Sequence, residues 1–189
     1  MNERFQSDMV KDAVTQILTG IGEDPTRDGL LMTPDRVSRS FSELTSGYGM
    51  DPAKILKTSF ESDGYDEMVV LREIDFFSLC EHHMLPFYGT ATIVYIPSGK
   101  VVGISKLARL VECFARRLQI QERMTKQIAD AVQEYLVPRG YGVAIKARHL
   151  CMAARGVGKQ RSEMVTHAVG GLIKEDPKAR QEFTQLAAI

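Results

Sequence analysis

The chain has no tryptophan, no surplus of either charge and only three cysteines among its 189 residues. Each scarcity closes off a class of function. With 24 Lys and Arg against 24 Asp and Glu, no long-range field draws the chain to nucleic acid or to an anionic membrane, although this leaves room for a local basic patch. No apolar run approaches the ~18 residues that span a bilayer. Met1-Asn2-Glu3-Arg4 leads into an amphipathic pattern instead of a signal-peptide core. The expected setting is therefore cytoplasmic, with no nucleic-acid and no membrane partner. Three cysteines cannot all pair with one another, and a cytosolic chain keeps its thiols reduced, so metal binding or catalysis competes with simple burial as their explanation. Internal repeats, low-complexity segments and long linkers are missing as well.

What is present suffices for a core. Hydrophobic residues make up 44% of the chain, and a chain of this length buries roughly 70% of its unfolded surface on folding. Phe5, Met9, Val10, Ala13, Val14, Ile17, Leu18 and Ile21 follow helical spacing, with Gly20 and Gly22 as a stop. Thr33 as N-cap with Pro34 at the first helical position opens a second helix, whose stripe is Val37, Phe41 and Leu44. A Ser-, Asp- and Gly-rich stretch at 58–66 sets the gentlest boundary, dividing an N-terminal helical region, 1–57, from the remainder, 58–189.

Beyond it, Met68–Leu71 with Ile74–Phe77 reads as a strand pair member or one bulged strand, and Phe87–Ile96 as a second strand. Ser105 is the expected cap of a helix with the stripe Leu107, Leu110, Val111, Phe114 and Leu118, and a further helix runs from about Gln121 to Val137. Val143, Ile145, Ala147, His149 and Cys151 alternate with their neighbours as a period-two strand. A last strand, about Glu163 to Val169, precedes a short helix capped by Asp176-Pro177. The order is two helices, then ββααββ, then a helix: an α+β chain.

Two of the three cysteines and three of the four histidines fall in two short segments, Cys80-Glu81-His82-His83 and His149-Leu150-Cys151. On a strand, Cys80 and His83 would face opposite ways, so their segment has to turn for both to grip one ion. His149 and Cys151, at i and i+2 on a strand, would share a face. Thiolate and imidazole are the borderline-soft donors that Zn²⁺ prefers. If Cys80, one of the paired histidines and Cys151 bind the metal, a fourth position remains for water and the other two histidines become proton carriers. Spacing alone leaves three readings open: this catalytic site, a closed four-ligand structural zinc, or buried thiols beside a satisfied histidine pair.

Cations gather at helix starts. Ser105 and Lys106 open one helix with Arg109 a turn on, Arg36 and Arg39 repeat the spacing on another, and Arg155 follows Cys151. With a metal nearby, this set suggests an anionic, phosphorylated substrate. Glu122, in the segment Gln119-Ile120-Gln121-Glu122-Arg123, has the chemistry to accept two parallel hydrogen bonds from a guanine-type edge, though it also suits an ordinary first-turn helix acid. Cys113 sits beside Phe114 and reads as packing.

Taken together, four segments are similar to the GTP cyclohydrolase I family: Ser78–His83, Gly103–Arg109, Ala115–Thr125, and His149–Cys151 followed by Ala154-Arg155-Gly156. Thr33–Arg36 also resembles the family's N-terminal helical motif. The resemblance covers most of the chain. It implies a zinc enzyme, a hydrolase acting on cyclic amidines, that converts GTP to 7,8-dihydroneopterin triphosphate and formate. It implies Zn²⁺ on Cys80, His83 and Cys151, with His82 and His149 as proton carriers: His149 protonates the imidazole ring, and His82 assists ribose opening and the rearrangement that follows. It places Glu122 on the guanine edge with Gln121 beside it, Ser105 near the ribose-phosphate, and Lys106, Arg109, Arg155, Arg36 and Arg39 towards the triphosphate. It further implies the tunnelling fold, whose ββααββ units assemble into a barrel in a ring-shaped homodecamer with active sites between subunits. Two positions depart from the family pattern: Arg39 stands where some members carry Lys, and His167 where a small hydroxyl residue is common.

Overall fold

The computed structural model describes residues 4–187; Met1-Asn2-Glu3, part of the N-terminal stretch read above, lies outside the described residues. Helices α1 (Ser7–Gly20) and α2 (Thr33–Leu44) pack on each other. Ser7 and Ser38 share a hydroxyl hydrogen bond of 3.0 Å, and Lys11 meets Asp35 at 3.2 Å. Thr33 is the first residue of α2 and not its cap: Met32 flanks the helix, no side chain caps it, and Pro34 moves one place inward. After a 3₁₀ turn, Ser46–Gly49, comes α3 (Pro52–Leu56), whose cap Asp51 accepts from Ala53 N at 3.0 Å. Strand β1 (Ser59–Glu61) falls in the stretch read as a boundary and pairs with β4 (Lys100–Val102).

The main sheet holds β2 (Val69–Cys80), β3 (Pro86–Ile96), β5 (Leu118–Gln119), β6 (Gly140–His149) and β7 (Met164–Gly171), in the order β5-β2-β3-β6-β7. Pairing is antiparallel except between β2 and the short β5. The two apolar stretches of β2 are one strand with a bulge between Leu71 and Ile74, where Glu73 adopts φ 55°. Helices α4 (Ile104–Ala115) and α5 (Gln121–Leu136) cover one face, with Phe76, Phe87, Ile93, Leu110, Met124 and Ile145 among the shared core. Ser105 is not the cap of α4: the helix starts one residue earlier, Gly103 flanks it, and the Gly103 carbonyl accepts from Lys106 N at 2.8 Å. α5 starts at Gln121 as expected and stops where Val137 turns left-handed, at φ 46°.

A smaller core forms on the other face at the far end of the sheet. There α7 (Leu172–Glu175) and α8 (Pro177–Ala187) place Ile173, Phe183 and Ala187 against Val94, Ile96 and Ala144. Asp176 accepts from Lys178 N at 2.9 Å, in line with the expected cap. Gly142 belongs to this contact, because a Cβ there would strike the ring of Phe183.

One expectation fails where it bears on the site. Cys151 is not on a strand with His149, since β6 ends at His149 and Cys151 lies in a helical turn, α6 (Leu150–Ala153). The last β3–β6 pair is Phe87 with His149. The next would need Pro86, which has no N–H to donate, and the ladder stops there. The α+β class and the ββααββ order stand, and no helix among the described residues is long and apolar enough to cross a membrane.

Candidate functional site

The site lies at the end of the sheet where β2 turns into β3 and β6 turns into α6. Cys80 is the last residue of β2, and its carbonyl accepts from Met84 N at 2.8 Å, closing the turn that carries Glu81, His82 and His83. Met84 takes φ 55° to bring the chain back into β3. The turn anticipated within the Cys80–His83 segment, between two strands, is therefore present. It puts the Cys80 thiol 3.9 Å from Nδ1 of His83 and 3.8 Å from Nδ1 of His82. The α6 turn delivers the third donor: Cys80, His83 and Cys151 have ligand atoms all within 4.8 Å of one another.

This donor set fits a metal of the zinc type. Zn–S of about 2.3 Å and Zn–N of about 2.0 Å at a tetrahedral angle separate S from N by about 3.6 Å, close to the 3.9 Å between Cys80 and His83. Burial raises the Cys151 thiol above its ordinary value, and the Cys80 thiol beside it pushes the same way, while the Arg155 cation opposes both. Two thiols crowded into a partly buried corner gain most from a cation that takes both as thiolates. Of the two paired histidines, His83 belongs to the three-donor cluster and His82 does not. The second ring nitrogen of His83, Nε2, lies 3.4 Å from an Arg155 nitrogen.

His149 stands on the floor of the site. Its ring stacks on Phe87 with centroids 4.7 Å apart and planes at 4°. Burial lowers its basicity below the usual histidine value, and the Glu122 carboxylate acts in the opposite direction. Glu122 is exposed on the first turn of α5. Ser105 and Arg109 are exposed and Lys106 half-buried on the first turns of α4, and Arg155 is exposed just after α6. Arg36 and Arg39 ride on α2, where Arg39 is paired with Asp35 at 3.3 Å.

Gln121 is deployed differently from Glu122. It is 1% exposed, and its amide donates to Ile145 O, Met164 O and the Thr166 hydroxyl at 3.0–3.1 Å. Its own Oε1 is buried without a hydrogen-bond partner. Gln121 thereby pins the start of α5 to β6 and β7. Cys113 is buried as expected, but it is not alone, because Arg117 approaches its sulfur at 3.3 Å.

Sequence reasoning assigned no role to Phe87, Gln119, Glu81 or Arg123. Phe87 is 0% exposed and supports the His149 ring; its only signal was its place in an apolar strand. Glu81 and Arg123 form an ion pair between the turn after β2 and α5. Opposite charge beside residues already singled out was their only mark, and nothing in the spacing puts the two side by side.

A family model described as GTP cyclohydrolase I matches residues 10–188. The GTP cyclohydrolase 1 of Wolinella succinogenes is 58% identical over 92% of this chain and 93% of its own length. That of Chlorobium phaeovibrioides is 54% identical over 94% of this chain and 79% of its own. That of Leptospira biflexa is 51% identical over 94% of this chain and 97% of its own.

Proposed function

From the membership of this chain in the GTP cyclohydrolase I family, to which it belongs, we infer that it opens the imidazole ring of GTP by hydrolysis, releases C8 as formate and yields 7,8-dihydroneopterin triphosphate, the first step of a tetrahydrofolate or pterin route. The observation that carries this reading is the convergence of Cys80, His83 and Cys151 within 4.8 Å at the end of the sheet that also holds His149. Those three residues hold Zn²⁺, which supplies the acidification of water that hydrolysis at C8 requires.

The remaining side chains bind, orient and move protons. Glu122 accepts from the N1–H and 2-amino group of guanine, a charge-assisted pair that selects this edge over adenine. Gln121 supports that contact from below through its hold on β6 and β7. His149, kept less basic by burial, hands its proton readily to the ring nitrogen once it carries one. His82, with its side chain 65% exposed beside Glu81, serves the later ribose opening and rearrangement. Ser105 meets the ribose-phosphate, while Lys106, Arg109, Arg155, Arg36 and Arg39 neutralise the triphosphate.

The free edge of β7 and the long unpaired flank of β2 suit addition of further strands. They support assembly of tunnelling-fold units into a barrel, as a homodecamer with sites between subunits. In such an assembly a neighbour's α2 brings Arg36 and Arg39 to the triphosphate. Residues 1–57 are the N-terminal helical region and 58–189 the ββααββ catalytic unit with its C-terminal helix, in a cytoplasm that keeps the three thiols reduced.

The test is product identification. The zinc-loaded full chain, given GTP, should form dihydroneopterin triphosphate, seen by mass and, after oxidation, by pterin fluorescence. An accumulating formamidopyrimidine would instead indicate a same-fold hydrolase that stops at ring opening. No product from a metal-loaded oligomer would overturn the reading.

A further inference from the structure

Glu81 and Arg123 take no part in the ligand set or in the substrate contacts named above, yet they join the two elements that carry them. Glu81 adjoins the ligand Cys80, and Arg123 adjoins Glu122. One guanidinium nitrogen of Arg123 donates to Glu81 Oε2, and its Nε donates to Gln119 Oε1 at 3.0 Å. Gln119 is 2% exposed and is itself held, its amide donating to Phe114 O at 3.0 Å and to Gln127 Oε1 at 2.8 Å. The backbone of Glu81 is tied to the same strand, its N–H donating to Gln119 O at 3.0 Å. Its other carboxylate oxygen lies 4.0 Å from His82 Nε2. The fork of Arg123 thus rests on a buried, immobilised amide and grips the turn that holds His82 and His83.

We propose that Arg123 and Glu81 form a positioning bracket that sets the metal turn at a fixed distance from the guanine-binding end of α5. The bracket rests on the cyclohydrolase reading, because that reaction needs the guanine edge on Glu122 and C8 at the Cys80, His83 and Cys151 cluster at the same time. A base held at one end and attacked at the other tolerates little slack between the two; displacements of about 1 Å cost on the order of 10²-fold in rate. An isolated surface ion pair would behave otherwise, since its loss affects neither the orientation of the turn nor the chemistry. Only Arg can fill the role fully, because a lysine ammonium reaches Glu81 or Gln119 but cannot fork between them.

The bracket is tested with Arg123→Met, Arg123→Lys, Glu81→Gln and the double variant Glu81→Gln/Arg123→Met in the full, zinc-loaded chain. Three quantities are measured for each: kcat and KM for GTP, zinc content, and amide hydrogen exchange over 79–85. Arg123→Met is expected to lower kcat about 10²-fold with KM changed less than threefold and zinc retained, and Arg123→Lys to recover part of the loss. The double variant should be no slower than the worse single one, because both break the same link. Exchange over 79–85 should rise in every variant, as the Glu81 amide loses its hold. Unchanged kcat, multiplicative losses in the double variant, or a loss that simply follows missing zinc would each overturn the bracket. If the wild-type chain makes no product, the cyclohydrolase reading fails on its own, and exchange over 79–85 still decides the bracket: faster in the variants supports it, and equal to wild type overturns it.

Discussion

The two faces of the five-stranded sheet solve different problems. On the face under α4 and α5, side chains such as Phe87, Ile93, Leu110, Met124 and Ile145 are 0% exposed and form one continuous core. The opposite face carries Asp75, Thr90 and Lys146 in cross-strand register, and the α8 core covers Val94, Ile96 and Ala144, with Met68, Val70 and Val169 packed at its margin. Cys80, His83, Cys151 and His149 all sit at the rim of the first face. The α8 core holds the fold together without touching the site.

The contrast can be broken in order of effect. Cys151→Ala should abolish zinc retention and, with it, turnover, as checked by metal analysis after gel filtration; a full complement of zinc would remove Cys151 from the ligand set. His149→Ala should keep its zinc and lose about 10²–10⁴-fold in kcat, the usual worth of a positioned proton carrier. Next come two phenylalanines, one from each core, both 0% exposed. Phe87→Ala and Phe183→Ala should each lower unfolding stability by about 3–5 kcal/mol. Only the first should also depress kcat below what the folded fraction explains, because only Phe87 stacks on His149. Equal kcat losses in the two variants would mean that the faces are not functionally distinct.

The smallest effect is one of pH. The Cys151 thiol is raised above its ordinary value by burial and by Cys80, so at neutral pH it carries its proton in the metal-free protein and must release it when the metal binds. Zinc affinity should therefore fall as pH drops, by at least about tenfold per unit, as followed by competition with a chelator. Affinity independent of pH between 6 and 8 would contradict metal binding through this thiol.

Much of this arrangement was legible in the chain. The two Cys/His segments, the turn they require and the cations at helix starts follow from residue type and spacing, and the structure brings Cys80, His83 and Cys151 together. The course of Cys151 was not legible, because period two runs on through it. What ends the strand is the partner residue Pro86, which is distant in sequence. Ser105 and Thr33 have cap chemistry, but both lie inside their helices, which Gly103 and Met32 flank without a side-chain cap. Gln121 looks like a surface neighbour of Glu122, and burial under β6 and β7, a long-range contact, turns it into a structural pin. The Arg123–Glu81 pair spans two segments whose approach depends on β5 lying along β2, and a single sequence carries no trace of that pairing.

The decisive measurement is the fate of the guanine C8. GTP labelled with ¹⁴C at that carbon should, on incubation with the zinc-loaded full chain, release the label as formate in a one-to-one ratio with the pterin triphosphate formed. Label that stays in the nucleotide, or in a ring-opened formamide, would contradict it.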